Sequence, residues 1–255
     1  MSASEVYGSA FYHLESQSSG RSAGVLVGIL AEALHPTSVL DVGCGVGNFL
    51  GEFRRRGIDE IVGVEGEWAA SAPLAIPREC VRFEDLNRGF DLHRRFDLVI
   101  CLEVAEHIEP ENADRLVESL VRHGSVLAFS AAVPSQGGAH HVNMQWPEYW
   151  ARKFRAQGFV AFDLVRPRVA DDRRVPTYYA QNLIVYARPD APAFAALTRE
   201  TGAIVGEVPF VLQRAPHPLG ARWLNRLPPR LRAYVYENYR SRWSRHLPGR
   251  WKDYL

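Results

Sequence analysis

Apolar residues along the chain fall into two patterns that predict alternating helices and strands. From Arg21 to Leu34 they recur at helical spacing, and this segment ends before His35 and Pro36, where proline disfavours continuation of a helix. Further helices are predicted over Asn48–Arg56, Asn112–Val121 and Pro147–Gln157. Between them lie the apolar runs SVLDV, EIVGV, FDLVICL, SVLAFSA, VAFDLV and NLIVYA, with one more short strand expected before Asp85. Continuous apolar runs are typical of buried parallel strands, so the alternation predicts an α/β fold with a doubly wound sheet and helices on both faces.

Two segments depart from this alternation. Residues 166–180 are rich in Arg, Asp and Pro and predict a loop or lid, and Tyr178, Tyr179, Gln181 and Asn182 are expected to enter the last strand. Beyond Ala187 the pattern is lost, apart from a helix predicted near Pro229–Trp243. We therefore expect an N-terminal lid segment (1–20), a binding domain (21–188), and a linker with a basic C-terminal helical extension (189–255).

Composition narrows the class of protein. The chain has 255 residues, 47% of them hydrophobic, which suits one large core with an appendage. Its net charge of +1 does not indicate a nucleic-acid-binding protein. The charge is uneven, however, because the stretch from Arg214 onward contains nine Arg and one Lys but only two acidic residues. This tail could contact a second copy of the chain and form a homodimer, while nucleic acid is not expected as a partner. Three scattered cysteines and no apolar run of about 18 residues predict a cytoplasmic protein without a membrane span.

The turn after the first predicted strand carries the first candidate chemistry. Asp41, Gly43, Gly45 and Gly47 follow a strand and precede a helix, the place where open parallel sheets bind ligands. A dinucleotide fingerprint reads G-x-G-x-x-G, whereas this turn reads D-x-G-x-G-x-G and is followed by no P-loop lysine. The spacing therefore disfavours phosphate binding.

Two more acids follow at the ends of the next strands. Glu65 is placed to accept hydrogen bonds from ribose hydroxyls, and Asp85 could accept one from an adenine amino group. The runs VLDVGCGVGNF, VGVEG, EDL and FDLVICLEVAEHI resemble, in order, the motifs of class I S-adenosylmethionine (SAM)-dependent methyltransferases. The resemblance covers residues 38–187 and implies a Rossmann-like, mostly parallel seven-stranded sheet. It also implies that SAM is bound by Asp41, Gly43, Cys44, Gly45, Gly47, Glu65, Asp85, Leu86 and Leu102.

The proton acceptor for methyl transfer has several candidates. The stretch GGAHHVNMQWPEYW is similar to a subgroup of these enzymes associated with glycan and natural-product pathways. In that pattern the matching histidine is His141, and a neutral imidazole in a loop after the fifth strand can accept a proton from a substrate hydroxyl. Glu106 and His107 are the second choices for the base, while a structural histidine is the alternative for His141.

A divalent metal is a further possibility. Glu103, Glu106, His107 and His141 form a pattern similar to small-RNA 2′-O-methyltransferases, which implies an ion held by two carboxylates and two imidazoles. Such an ion would lower the pKa of the acceptor hydroxyl. The same E-x-x-E-H sequence also occurs in methyltransferases that use no metal, so both alternatives stay open.

These residues predict a SAM-dependent methyltransferase acting on a hydroxyl of a small polar acceptor, and the expected acceptor is a sugar or glycosylated natural product. One rival is a metal-assisted methyltransferase of RNA ribose. Others are a nicotinamide-dependent oxidoreductase and a protein that binds SAM without transferring methyl. Thermal stabilisation by SAM but not by NAD would separate the oxidoreductase from the methyltransferase.

Overall fold

A computed structural model of the chain describes residues 9–134, 136 and 138–209, with side chains from Gly20 onward. The helices are α1 (Ser9–Leu34), α2 (Asn48–Arg55), α3 (Ala113–His123), α4 (Pro147–Ala156), α5 (Arg166–Val169), α6 (Thr177–Asn182) and α7 (Phe194–Thr201). The strands are β1 (Ser38–Val42), β2 (Glu60–Glu65), β3 (Val81–Phe83), β4 (Leu98–Leu102), β5 (Val126–Ser130), β6 (Val160–Phe162) and β7 (Ile184–Ala187). Of the predicted lid segment, residues 1–8 lie outside the described part, and the rest belongs to α1.

The seven strands form one sheet in the order β3-β2-β1-β4-β5-β7-β6. The central pairs are parallel, and β7 runs antiparallel to both β5 and β6. The predicted doubly wound, mostly parallel architecture is therefore confirmed. Because β1 and β4 are parallel neighbours, their carboxyl ends meet at one edge, and β7 begins at that same edge because it is reversed.

Alternation along the strands divides the core between two helical layers. On one face, Val39 of β1 packs with α1, whose Leu26, Val27 and Leu30 are fully buried. On the other face, Leu40 belongs to a second cluster that contains α3 and α4. Since successive strand side chains point to opposite faces, the apolar runs read from the sequence serve both layers at once.

Residues 166–182 include the loop or lid predicted at 166–180, but only residues 170–176 form turns and bends. They contain the short helices α5 and α6, and Val169, Val175 and Tyr179 are buried in the same core cluster as α1. The charged residue Arg166 is fully buried and bidentate to Asp163, with both N–O distances 2.8 Å. The expectation that residues 178–182 enter the last strand is also wrong, because that strand begins at Ile184. The charged residues suggested an exposed loop. Arg166 can nevertheless be buried because the carboxylate of Asp163 pairs with its guanidinium.

The described part of the C-terminal region packs against β6. Leu197 of α7 is buried, and the backbone N–H of Ile204 donates to the carbonyl oxygen of Ala161 at 2.8 Å. The helix predicted at Pro229–Trp243, the basic stretch and any dimer contacts lie outside the described residues. Within the part that the structure describes, no helix combines the length and apolarity that crossing a membrane requires.

Candidate active site

The glycine turn between β1 and α2 is shaped by close packing at two of its three glycines. All three have positive φ: 77° at Gly43, 54° at Gly45 and 86° at Gly47. A Cβ at Gly43 would lie 2.3 Å from Val104, and one at Gly47 would lie 2.7 Å from Ile76. A Cβ at Gly45 would meet no atom within 4 Å. Protein packing therefore explains Gly43 and Gly47, while Gly45 faces space that a ligand can enter.

Two buried carboxyl groups lie beside this turn. Glu65 accepts hydrogen bonds from the backbone N–H groups of Gly45, at 2.7 Å, and Gly66, at 2.9 Å. Asp41 is 3% exposed, and its Oδ2 has no hydrogen-bond partner among the described residues. Burial raises the pKa of both groups, and the charge of Glu65 adds to the shift at Asp41. Two buried acids with unused acceptor capacity need hydrogen-bond donors or a positive charge.

This arrangement fits SAM. The cofactor carries an ammonium group, a ribose diol and a positive sulfonium, and these are the donors and charges that Asp41 and Glu65 lack. Cys44 and Leu102 belong to the core cluster that contains α1. Cys44 is buried against Gly63, where a Cβ would lie 2.6 Å from its Sγ, and burial raises the pKa of its thiol. Leu102 is buried at the end of β4.

The adenine candidates lie after β3. Asp85 is exposed, accepts a hydrogen bond from the backbone N–H of Asn87 at 3.0 Å, and pairs with Arg88. Leu86 is buried in the core. The carboxylate of Asp85 therefore also holds its own turn, besides any contact with a ligand.

Three of the four candidate metal ligands converge at the exit of β4. One ligand atom each from Glu106, His107 and His141 lies within 4.8 Å of the others. Nε2 of His141 is 3.9 Å from Oε1 of Glu106, and the two imidazoles meet edge to face at 4.8 Å between ring centroids. The backbone carbonyl of Glu106 accepts N–H groups from Val142 and Asn143 at 2.9 Å each. These bonds tie the loop that carries His141 to the exit of β4.

Burial sets the protonation of the two histidines. It lowers the pKa of His107 and lowers the pKa of His141 to about 4, with the neighbouring His107 adding to the latter shift. In the neutral ring of His107 the proton is on Nδ1, because that atom donates to the carbonyl oxygen of His140 at 3.2 Å. The side chain of His141 is 11% exposed, and its Nδ1 has no hydrogen-bond partner among the described residues. Both rings are neutral at pH 7.

Glu103, the fourth candidate ligand, is held elsewhere. Its Oε2 accepts a hydrogen bond from Nε2 of Gln136 at 2.7 Å, and its Oε1 accepts one from Nδ2 of Asn182 at 3.3 Å. It also has a positive φ of 57°, which is uncommon for a residue other than glycine. Burial raises the pKa of its carboxyl group, against the opposing effect of these hydrogen bonds. Thus the structure does not place Glu103 with the other three.

Sequence reasoning missed Gln136 and the significance of Gly138. Gln136 precedes the glycine pair by one position and belongs to no motif, so its identity alone carried little signal. Gly138 has φ of 128°, and a Cβ there would lie 2.2 Å from Cε1 of His141. The glycine pair in the sequence could have suggested that a backbone conformation reserved for glycine lies close to His141.

The chain resembles known proteins in sequence and in fold. Residues 25–168, more than half of the chain, match a family model described as a methyltransferase domain. The chain is 30% identical over 112 residues to the ubiquinone biosynthesis O-methyltransferase of Acinetobacter baumannii (strain ACICU), covering 39% of this chain and 46% of that protein. It is 33% identical over 103 residues to the protein of the same name from Neisseria meningitidis serogroup C (strain 053442), covering 36% and 42%. The chain thus spans less than half the length of these curated relatives.

Solved structures agree on the fold. DesVI from Streptomyces venezuelae superposes with a TM-score of 0.54 at 15% identity, covering 74% of this chain and 99% of that one. SAM-bound CalS10, an amino pentose methyltransferase from Micromonospora echinaspora, gives a TM-score of 0.51 at 20% identity, with coverages of 69% and 96%. The family match contains the whole glycine turn and both buried acids. The chain therefore belongs to the class I SAM-dependent methyltransferases.

Proposed function

We propose that the chain transfers a methyl group from SAM to a hydroxyl of a small polar acceptor, a sugar or a glycosylated natural product, with His141 as the general base. One observation carries the assignment of the base. A sheltered imidazole lies in the loop after β5, at the carboxyl edge of the sheet, and its Nδ1 is buried and has no hydrogen-bond partner among the described residues. A neutral ring with an unengaged nitrogen can accept the proton of a hydroxyl as the oxygen attacks.

The chemistry divides between cofactor and protein. When bound, SAM supplies an electrophilic methyl group on a sulfonium, which leaves as a neutral thioether. Asp41 in β1 and Glu65 at the end of β2 would hold the cofactor, and His141, in the loop after β5 and beside the exit of β4, would take the hydroxyl proton. Burial of His141 keeps the base neutral across the physiological pH range, since its pKa is about 4. Orientation of the two reactants over one sheet edge supplies most of the catalysis expected for such a displacement.

The choice of acceptor has separate support. The curated relatives are named as O-methyltransferases, which favours oxygen as the methylated atom. One structural neighbour is described as a sugar N-methyltransferase and another as an amino pentose methyltransferase, although at no more than 20% identity their likeness concerns the fold. The sugar acceptor therefore rests on the motif around His141.

The test is product formation with deuterated SAM. The purified chain is incubated with the labelled cofactor and a panel of nucleotide-activated sugars, glycosides and polyhydroxylated metabolites, and products gaining a trideuteromethyl group are found by mass spectrometry. His141→Ala should reduce turnover by about 100-fold or more while SAM affinity stays constant. Wild-type turnover by His141→Ala would refute the assignment of the base.

A metal-assisted reaction is the second candidate, favoured by the close approach of Glu106, His107 and His141. These residues could hold one divalent ion that orients the acceptor hydroxyl and lowers its pKa. Loss of turnover on treatment with a chelator, and recovery with Mg²⁺ or Mn²⁺, would support this candidate, whereas full activity after chelation would exclude it. RNA ribose as the acceptor would show as RNA binding that weakens steeply with salt.

A further inference from the structure

Four parts of the fold meet at Glu103. The residue follows β4, and its backbone N–H donates to the carbonyl oxygen of Ser130, the last residue of β5, at 3.0 Å. Its carboxylate accepts from Gln136 in the loop after β5 and from Asn182 at the end of α6. Positive φ in a residue other than glycine persists only where the surroundings hold it in place. Glu103 therefore lies at the centre of a local hydrogen-bond network.

Gln136 is the member of this network that lies in the catalytic loop. Its Nε2 donates to Glu103 at 2.7 Å, while its Oε1 accepts from Asn182 at 2.8 Å and from the backbone N–H of Val133 at 3.3 Å. Both ends of the amide are thus engaged, which fixes the orientation of the side chain. The loop is anchored on this side by one side chain.

One residue of the anchored loop lies against the imidazole of His141. Gly138 lies two residues after Gln136, and a Cβ at Gly138 would fall 2.2 Å from Cε1 and 2.3 Å from Nε2 of the His141 ring. The ring therefore rests on the backbone of this glycine. The ring also meets that of His107 edge to face, and its Nε2 lies 3.9 Å from Oε1 of Glu106. Any outward movement of the segment at Gln136 would remove one wall of the histidine's site.

We propose that Gln136 is a positioning residue for His141, holding the floor of the imidazole site through its hydrogen bonds to Glu103 and Asn182. The proposal rests on the assignment of His141 as the base in the proposed function. Gln136 contacts neither reactant in this role. It acts by restricting the loop to the conformation in which the ring is sheltered.

The test follows the accessibility of His141 and needs no acceptor. The full chain is treated with diethyl pyrocarbonate at pH 7.5, and modification of each histidine is timed by peptide mass spectrometry. Exposed His93 and fully buried His123 serve as internal references. In Gln136→Leu, the rate at His141 should rise about five- to tenfold, the effect expected when hydrogen bonds that close a loop are lost.

Two further variants sharpen the result. Gln136→Glu keeps the length of the side chain but replaces the donor to Glu103 with a second carboxylate, so it should raise the rate at His141 as well. Gln157→Leu removes an exposed glutamine at the end of α4 and should leave that rate unchanged.

Wild-type labelling of His141 in both Gln136 variants would overturn the proposal. So would an equal rise at His123, since that would show general loosening of the fold. The failure of the proposed function looks different: His141→Ala would retain turnover, whatever the labelling rates.

Discussion

Gly45 offers the sharpest test of where the cofactor lies. Its φ of 54° is left-handed, and a Cβ there would meet no atom of the described chain within 4 Å. Gly57 makes a matched control, because it also has a positive φ, 84°, and an equally open Cβ position. The two glycines differ in their surroundings: Gly45 donates to the buried Glu65, whereas Gly57 lies just after α2. Alanine at either site therefore tests the same backbone strain in two settings.

The expected magnitudes follow from these geometries. Left-handed backbone costs about 1–2 kcal/mol for a residue with a Cβ, so Gly45→Ala and Gly57→Ala should each lower the Tm of the ligand-free protein by roughly 2–8 °C. Only the methyl group at position 45 would compete with SAM for space. We expect its Kd for SAM to rise about tenfold or more, which corresponds to about 1.4 kcal/mol.

The assay combines calorimetric titration with SAM and thermal unfolding with and without the cofactor. At a concentration 100 times the wild-type Kd, SAM should stabilise wild type and Gly57→Ala by about 2.7 kcal/mol. A tenfold weaker Kd reduces that gain in Gly45→Ala to about 1.4 kcal/mol. If folded Gly45→Ala bound SAM as tightly as wild type, or if Gly57→Ala lost as much affinity, the placement of the cofactor against this turn would be wrong.

Three further predictions concern the buried titratable groups and the loop. Burial raises the pKa of the Asp41 carboxyl group in the folded protein above its value in the unfolded chain. The free energy of unfolding therefore falls as the pH rises from the unfolded pKa to the folded pKa. In urea denaturation at pH 8, Asp41→Asn should stabilise the ligand-free chain by about 1–3 kcal/mol and weaken SAM binding, with the stability gain shrinking at pH 5; a gain independent of pH would contradict this. Burial lowers the pKa of His123, whose Nε2 accepts the N–H of Leu92 at 2.9 Å. The free energy of unfolding should therefore drop by at most about 1.4 kcal/mol per pH unit below about pH 6.5, and His123→Gln should flatten that slope in urea titrations. Gly138→Ala should reduce turnover about tenfold or more by displacing the His141 ring, while calorimetry shows an unchanged Kd for SAM.

The sequence determined the sheet and the cofactor turn because their signals are local. A buried strand needs a short apolar run, and the SVLDV and FDLVICL segments became β1 and β4 for that reason. Gly43 and Gly47 require left-handed backbone against close neighbours, so their spacing could be read directly. Asp41 before the glycines, with Glu65 and Asp85 after them, then favoured SAM over a dinucleotide as the ligand. The match to a methyltransferase family agrees with that choice.

Tertiary structure alone decided which polar side chains meet. Asn182 reaches Glu103 across 79 positions and Gln136 across 46, and no periodicity relates residues so far apart. For the same reason the polar segment at residues 166–180 packs against the core: Arg166 pairs with Asp163, and Val169, Val175 and Tyr179 are buried in the cluster that contains α1. Glu103 was expected to join Glu106, His107 and His141, but it follows the strand with a positive φ and meets two amides instead. Partner choice among buried polar groups depends on where the backbone brings them, and that is set by the packing of the whole fold.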